Sequence, residues 1–328
     1  MTSIPAFSTS SISCMHQRIL RSAVIVAAAV AGCVATGTVA RADTIAGSSS
    51  VHSAGPHQSE YDYYLALGDS LAFGIQPDST GAIFRSGHGY ADDLATYLSE
   101  HGSRNLHYVN LSCPGETTST MLDGGCPDLT GSGQSYAVQE DAAVAFLEAH
   151  PYARILVTLD IGADNVEGCV SHGTLNPTCA AQGIAEAQTQ LPEILAQLEA
   201  AAGRHVSFVG MDYYDPFLSA YLTGSAGQAL ATESVTATTS LNSALEAGYT
   251  GADVPVADVF TAFQTADFSD TTSLGGMTVP VNVANICSWT WMCAPAPIGP
   301  NIHANDAGYA VIVRSFEAQL PARNRCSD

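Results

Sequence analysis

Tyr63-Tyr64-Leu65-Ala66-Leu67-Gly68-Asp69-Ser70-Leu71-Ala72-Phe73-Gly74 is an apolar run that stops at a glycine and gives way to an acid and a serine. A strand buried on both faces reads as a nearly continuous apolar run, and a glycine at its end permits a sharp exit. Four more runs repeat the pattern, at His107 to Leu111, Arg154 to Ile161, Val206 to Met211 and Val254 to Val259. Helical periodicity fills the intervals at Gly89 to Glu100, Tyr136 to His150, Ala180 to Ala202 and Gly227 to Ala247, and a last stretch runs from Asp306 to Leu320. Strand and helix alternating in this way predict an α/β fold, a parallel sheet covered on both faces. With five strands this is a flavodoxin-like three-layer α/β/α architecture with a five-stranded parallel sheet. Such sheets hold their chemistry beyond the carboxyl ends of the strands, near the point where strand order reverses. The loops that leave each strand are therefore where functional residues are to be sought.

Composition narrows the function. The chain has 328 residues, 46% hydrophobic and only 12% charged, with a formal net charge of -21 and no lysine. An average globular protein carries about 25% charged residues. A field of this sign repels phosphate backbones and anionic headgroups, which speaks against nucleic acid as a partner and against polybasic docking to membranes.

The N-terminus reads as an export signal. Arg18 and Arg21 flank an apolar run from Ala23 to Ala31, and Ala40-Arg41-Ala42 offers small residues around a cleavage point. A spanning anchor is disfavoured, because the stretch is rich in Ala, Gly and Thr and falls short of the ~20 strongly apolar residues a membrane helix needs. Val30-Ala31-Gly32-Cys33 keeps a second exported reading open, that of a lipoprotein anchored through Cys33. The expected organisation is a signal peptide at 1–42, a flexible Ser/Gly/His-rich leader at 43–60, a folded domain at 61–322 and a tail at 323–328. Cleavage after Ala42 leaves 31 acids against seven arginines, a net of -24.

Cysteine spacing agrees with a secreted, extracellular protein. Cys113, Cys126, Cys169, Cys179, Cys287 and Cys293 fall into three pairs of neighbours in sequence, and local disulfides Cys113–Cys126, Cys169–Cys179 and Cys287–Cys293 are the simplest reading. Zinc competes poorly, as neither Cys-x-x-Cys nor His-Glu-x-x-His spacing occurs. No metal and no cofactor is expected. Cys326 is left odd.

Four strand-exit blocks carry a resemblance. Gly68-Asp69-Ser70-Leu71 resembles the first block of the SGNH or GDSL hydrolases, whose nucleophile is its serine. Asn110-Leu111-Ser112-Cys113-Pro114-Gly115-Glu116-Thr117 is similar to the second, whose glycine offers a backbone N–H to the oxyanion. Leu159-Asp160-Ile161-Gly162-Ala163-Asp164-Asn165 resembles the third, and Gly299-Pro300-Asn301-Ile302-His303-Ala304-Asn305-Asp306 begins the block that carries the histidine. The blocks come in the family's order and span nearly all of the mature domain, closest to its disulfide-containing secreted bacterial lipases and esterases. The resemblance implies a secreted serine esterase or lipase working by acyl-enzyme chemistry. Ser70 would be the nucleophile, His303 the general base, and the N–H groups of Ser70 and Gly115 the oxyanion donors.

Two positions depart from the family. Its third block runs Gly-x-Asn-Asp, with the asparagine donating to the oxyanion, whereas this chain has Gly162-Ala163-Asp164-Asn165. Either Asn165 is presented by a one-residue adjustment, which is the favoured reading, or Asp164 is held protonated, or the hole is weakened. The family's orienting aspartate lies three residues before the histidine, where this chain has Pro300. A Ser–His dyad follows, with Asn301 or a backbone carbonyl between Trp289 and Pro300 holding the imidazole. The alternative function is a weakened or silent member of the fold that binds carbohydrate or lipid. Phe73, Phe84, Tyr213, Tyr214, Phe217, Trp289 and Trp291 are candidates to line an acyl groove. The expected partner is a small-molecule or lipid ester substrate, neutral rather than anionic, with no stable protein partner.

Overall fold

A computed structural model describes residues 60–321. The stretches expected to be a signal peptide, a leader up to residue 59 and a tail, with Cys33 and Cys326, lie outside the described residues.

The five apolar runs form one parallel sheet, of β1 (Tyr63–Gly68), β2 (His107–Asn110), β3 (Ile155–Asp160), β4 (Val206–Met211) and β5 (Val256–Ala257), in the order β2-β1-β3-β4-β5. Every residue of β3 is buried, because β1 and β4 pair with its two edges and helices cover its faces. That double burial is why no polar alternation marks it in the sequence. The longer helices are α1 (Tyr90–Glu100), α2 (Gln139–Ala149), α3 (Pro177–Ala201), α4 (Ser225–Gly251) and α5 (Asp306–Glu317). α1 packs on α5, with the rings of Tyr90 and Phe316 stacked at 4.7 Å, while α2 packs on α3 and α3 on α4. The result is the three-layer α/β/α arrangement expected of the alternation.

Local chemistry sets the helix starts. The Asn176 side chain accepts the N–H groups of Thr178 and Cys179, and Pro177 occupies the first position of α3, where its missing N–H costs nothing. Asn305 caps α5 by accepting from Gly308 N–H. Among the described residues, no helix is long and apolar enough to cross a membrane.

The three cysteine pairs are disulfides: Cys113–Cys126, Cys169–Cys179 and Cys287–Cys293. Each closes a loop of six to thirteen residues at the end of the sheet where β1 and β3 stop.

The run read as a strand from Val254 to Val259 is corrected to a two-residue strand. β5 is an edge that pairs only with Gly210 and Met211, and beyond it the Asp212 carboxylate takes the N–H groups of Val259 and Phe260, starting a helical turn at Val259–Ala262. Three hairpins escaped the sequence reading, Ile75–Pro77 with Ile83–Arg85, Val170–Ser171 with Thr174–Leu175, and Thr271–Leu274 with Met277–Pro280, as did the helix Val281–Trp289.

Candidate active site

Strand order reverses between β1 and β3, and Ser70 stands two residues beyond the end of β1 at that point. Gly68 makes the turn possible. Its φ is +125°, and a Cβ there would lie 2.0 Å from the backbone oxygen of Asp160 in the neighbouring strand. Asp69 caps the one-turn helix Ser70–Phe73, accepting Leu71 N–H at 2.9 Å, and Asp160 takes the next free donor, Ala72 N–H, at 3.1 Å. Ser70 is thus held on a rigid turn with its hydroxyl facing a cleft.

The histidine arrives from a loop pinned on several sides. Trp291 N–H donates to His303 O and Asn301 N–H donates to Trp291 O, while Cys287–Cys293 ties the same segment back to the helix Val281–Trp289. Tyr214 Oη donates to Ile302 O at 2.8 Å. His303 Nε2 lies 2.9 Å from Ser70 Oγ, and Nδ1 lies 2.8 Å from Asn301 Oδ1, which also accepts His303 N–H. An amide oxygen can only accept, so Nδ1 carries the proton and Nε2 presents its lone pair to the serine. Burial holds the imidazole down to a pKa of about 4, keeping it neutral across the ordinary range. Pro300 brings no carboxylate, and the ion pairs among the described residues do not reach His303.

Gly115 reaches the same end of the sheet through the loop after β2. Cys113 N–H donates to Gly68 O, and Gln139 of α2 bridges the two segments, bonding both Gly68 O and Glu116 Oε2 through Nε2. The N–H groups of Ser70 and Gly115 find no acceptor among the described residues. Burial pushes the Glu116 carboxyl up to about 7.

The third block differs from the favoured reading. Asn165 is turned away: its Oδ1 accepts Thr118 N–H at 3.1 Å and its Nδ2 donates to Thr118 Oγ1 at 2.9 Å. It is Asp164 that lines the cleft with Ser70 and His303. Burial, with the charges of Asp69 and Glu167 close by, holds the Asp164 carboxyl well above the usual carboxylate range. Glu167 is itself shifted upward by burial and by the charge of Asp69.

The cavity at this site encloses about 70 Å³. Leu71, Val166, Tyr214, Phe217, Leu241 and Ile302 supply its apolar wall. Of the aromatic residues expected to line a groove, Tyr213, Tyr214 and Phe217 do so. Phe73 instead lies buried beneath the Arg85 guanidinium, Phe84 is exposed on a hairpin, Trp289 packs edge-on to Phe263, and Trp291 Nε1 donates to Gln76. The sequence reading missed Glu167 and Asp215, which also line the cavity. Three positions beyond Asp164, on the same helical turn, was the one available signal for Glu167. Cys113, Glu116 and Cys126 come together, but both sulfurs are in a disulfide and offer no thiolate to a metal.

Residues 66–311 match the model of the GDSL-like Lipase/Acylhydrolase family. No curated protein matches. Among solved structures, the extracellular lipase of Streptomyces rimosus is 19% identical, with 79% of this chain and 99% of that chain covered at a TM-score of 0.49. Phospholipase A1 of Streptomyces albidoflavus is 17% identical, with 79% and 100% covered at a TM-score of 0.49. The aryl esterase of M. smegmatis is 16% identical, with 79% and 97% covered at a TM-score of 0.41.

Proposed function

Since the chain belongs to the GDSL-like lipase/acylhydrolase family, we propose that it is a secreted serine esterase with a Ser70–His303 dyad oriented by Asn301. The observation that carries this reading is the run of contacts from Asn301 Oδ1 through the imidazole to Ser70 Oγ. A hydroxyl attacks an ester only if its proton leaves as the bond forms. Ser70 Oγ adds to the carbonyl carbon while Nε2 takes the proton, and the negative charge moves to the carbonyl oxygen. Collapse breaks the bond to the alcohol, which leaves with the proton returned by Nε2, and the acyl group stays on Ser70. Water then repeats the sequence, releasing the acid and restoring the serine.

The oxyanion requires donors already aimed at it, each worth roughly 3 kcal/mol. The unengaged N–H groups of Ser70 and Gly115 supply two, and neutral Asp164 supplies the third in the place the family gives to asparagine. The disulfides support an extracellular setting, where such bonds persist. The division into an export signal at 1–42, a leader and a hydrolase domain at 61–322 belongs to the same reading.

Substrate preference follows from the cavity. At about 70 Å³ it is small beside the ~300 to 1,000 Å³ of sites for drug-sized ligands, and its lining is apolar and uncharged apart from the acids. Short neutral acyl groups fit it. p-Nitrophenyl butyrate should be hydrolysed with a higher kcat/KM than the palmitate ester. A palmitate preference would refute the assignment to short esters, and failure to cleave any member of the series would favour the silent, ligand-binding alternative.

Asn301 supplies a second test. Asn301→Ala frees the tautomer and should lower kcat by about 30-fold, taking as the scale the loss of the hydrogen-bond partner that orients a metal-bound histidine. Asn301→Asp places a negative charge beside Nδ1 and stabilises the imidazolium. The base works only when neutral, so the rate falls as pH drops through the imidazole pKa, about 4 in the parent. In Asn301→Asp that acid limb should move to higher pH; an unmoved limb in the kcat/KM profile would show that residue 301 does not govern His303.

A further inference from the structure

Beneath Ser70 lie two acids that the mechanism does not use. Asp69 and Asp160 are 2% and 0% exposed and meet where β1 and β3 end, Asp69 N–H donating to Asp160 O and the two carboxyls accepting successive N–H groups of one helical turn. Asp69 accepts Leu71 N–H on Oδ1 and the Tyr213 hydroxyl on Oδ2, at 2.9 and 2.8 Å. Asp160 accepts the Tyr90 hydroxyl on Oδ1 at 2.8 Å and Ala72 N–H on Oδ2 at 3.1 Å. None of the ion pairs among the described residues involves either acid. Two carboxylates touching in a dry interior cannot both be ionised, since neither hydration nor a cation offsets their repulsion.

We propose that Asp69 and Asp160 share a single proton and that this acid–carboxylate pair positions the Ser70 turn. The inference rests on the esterase reading of Ser70 but concerns different residues. Both acids accept from donors of the one-turn helix Ser70–Phe73, so together they fix the two N–H groups that follow Ser70. The proton between them turns a repulsion into a hydrogen bond that joins the end of β3 to the turn after β1. Burial and the charge of Asp69 push the Asp160 carboxyl well upward. Each acid accepts one backbone N–H and one tyrosine hydroxyl, so the pair is held in place whichever of the two carries the proton. Asp160 is then a positioning residue. It keeps Ser70 Oγ in line with Nε2 and leaves Ser70 N–H free for the oxyanion.

The pair is testable because an amide can stand in for its protonated member and an apolar side chain cannot. An amide at 160 can donate N–H to Asp69 in place of the acid's O–H, accept Ala72 N–H, and let the Tyr90 hydroxyl turn to accept. With p-nitrophenyl butyrate, Asp160→Asn should keep kcat within about threefold of the parent, while Asp160→Leu should lose about 50-fold in kcat at little-changed KM, the scale of a misplaced reacting group. Equal losses in Asp160→Asn and Asp160→Leu would overturn the proposal. Infrared difference spectra of purified protein give a readout independent of activity. The parent minus Asp160→Asn spectrum should contain a protonated-carboxyl C=O band, and a carboxylate band in its place would refute the assignment of the proton. That spectrum decides the point even if no ester were turned over, and it needs only that Asp160→Asn fold, which thermal unfolding checks.

Discussion

Ser70→Ala and His303→Ala each remove ester hydrolysis, lowering kcat/KM by about 10⁴-fold or more while the protein stays folded, and the double variant is scarcely worse than either alone. The magnitude follows from the two groups acting as one unit: without the base the hydroxyl keeps its proton, and without the hydroxyl the base has nothing to activate, so the losses do not add. Stability should be spared because neither side chain is a packing element. Ser70 Oγ faces the cavity and the imidazole is bonded only to Ser70 and Asn301. Burial already makes charging of the imidazole unfavourable, so its removal takes no salt bridge with it. Steady-state rates with p-nitrophenyl butyrate and a thermal melt of each variant check both halves. More than a few per cent of the parent rate in pure Ser70→Ala would end the mechanism.

How much of this was legible before the structure depended on distance along the chain. β1 and β4 read to the residue, β1 as an apolar run buried from Tyr64 to Gly68 and β4 through Val209-Gly210-Met211, its buried half, although Ser207 is exposed. The short hairpins did not. Leu274-Gly275-Gly276-Met277 carries a recognisable two-glycine turn, but its four-residue flanks are mostly exposed and show no apolar face to count. Ser70 and His303, although 233 positions apart, were readable because each sits in a local block at an element boundary. Whether Asp164 or Asn165 faces the cleft was not readable from those two residues. Thr118 decides it, by engaging both ends of the Asn165 carboxamide from 47 positions away. The same holds for the Asp69–Asp160 pair, ordinary acids in sequence that become one proton-sharing unit only when β3 is laid beside β1.

That rotation of the third block leads to the second large effect. Asp164→Ala should lower kcat by about 100-fold or more, the scale seen when one oxyanion donor is lost, whereas Asn165→Ala should act through the Thr118 contact and change kcat little. The sharper measurement is pH dependence. Asp164 donates only while protonated, and burial together with the charges of Asp69 and Glu167 raises its pKa, so it stays a donor from acid pH up to that raised value and becomes a repelling carboxylate above it. The parent rate should therefore decline on the alkaline side. An amide at the same place has no proton to lose, so Asp164→Asn should match the parent at acid pH and exceed it increasingly as pH rises, with the alkaline decline removed. Glu167→Gln takes away the neighbouring carboxyl that helps hold the proton on Asp164, lowers the pKa of that group, and should move the parent's alkaline decline to lower pH. Profiles of kcat for the three proteins test the chain of cause from one residue to the next. If Asp164→Asn keeps the parent's alkaline decline, the carboxyl is not at the oxyanion, and the N–H groups of Ser70 and Gly115 carry that charge without a side chain from the third block.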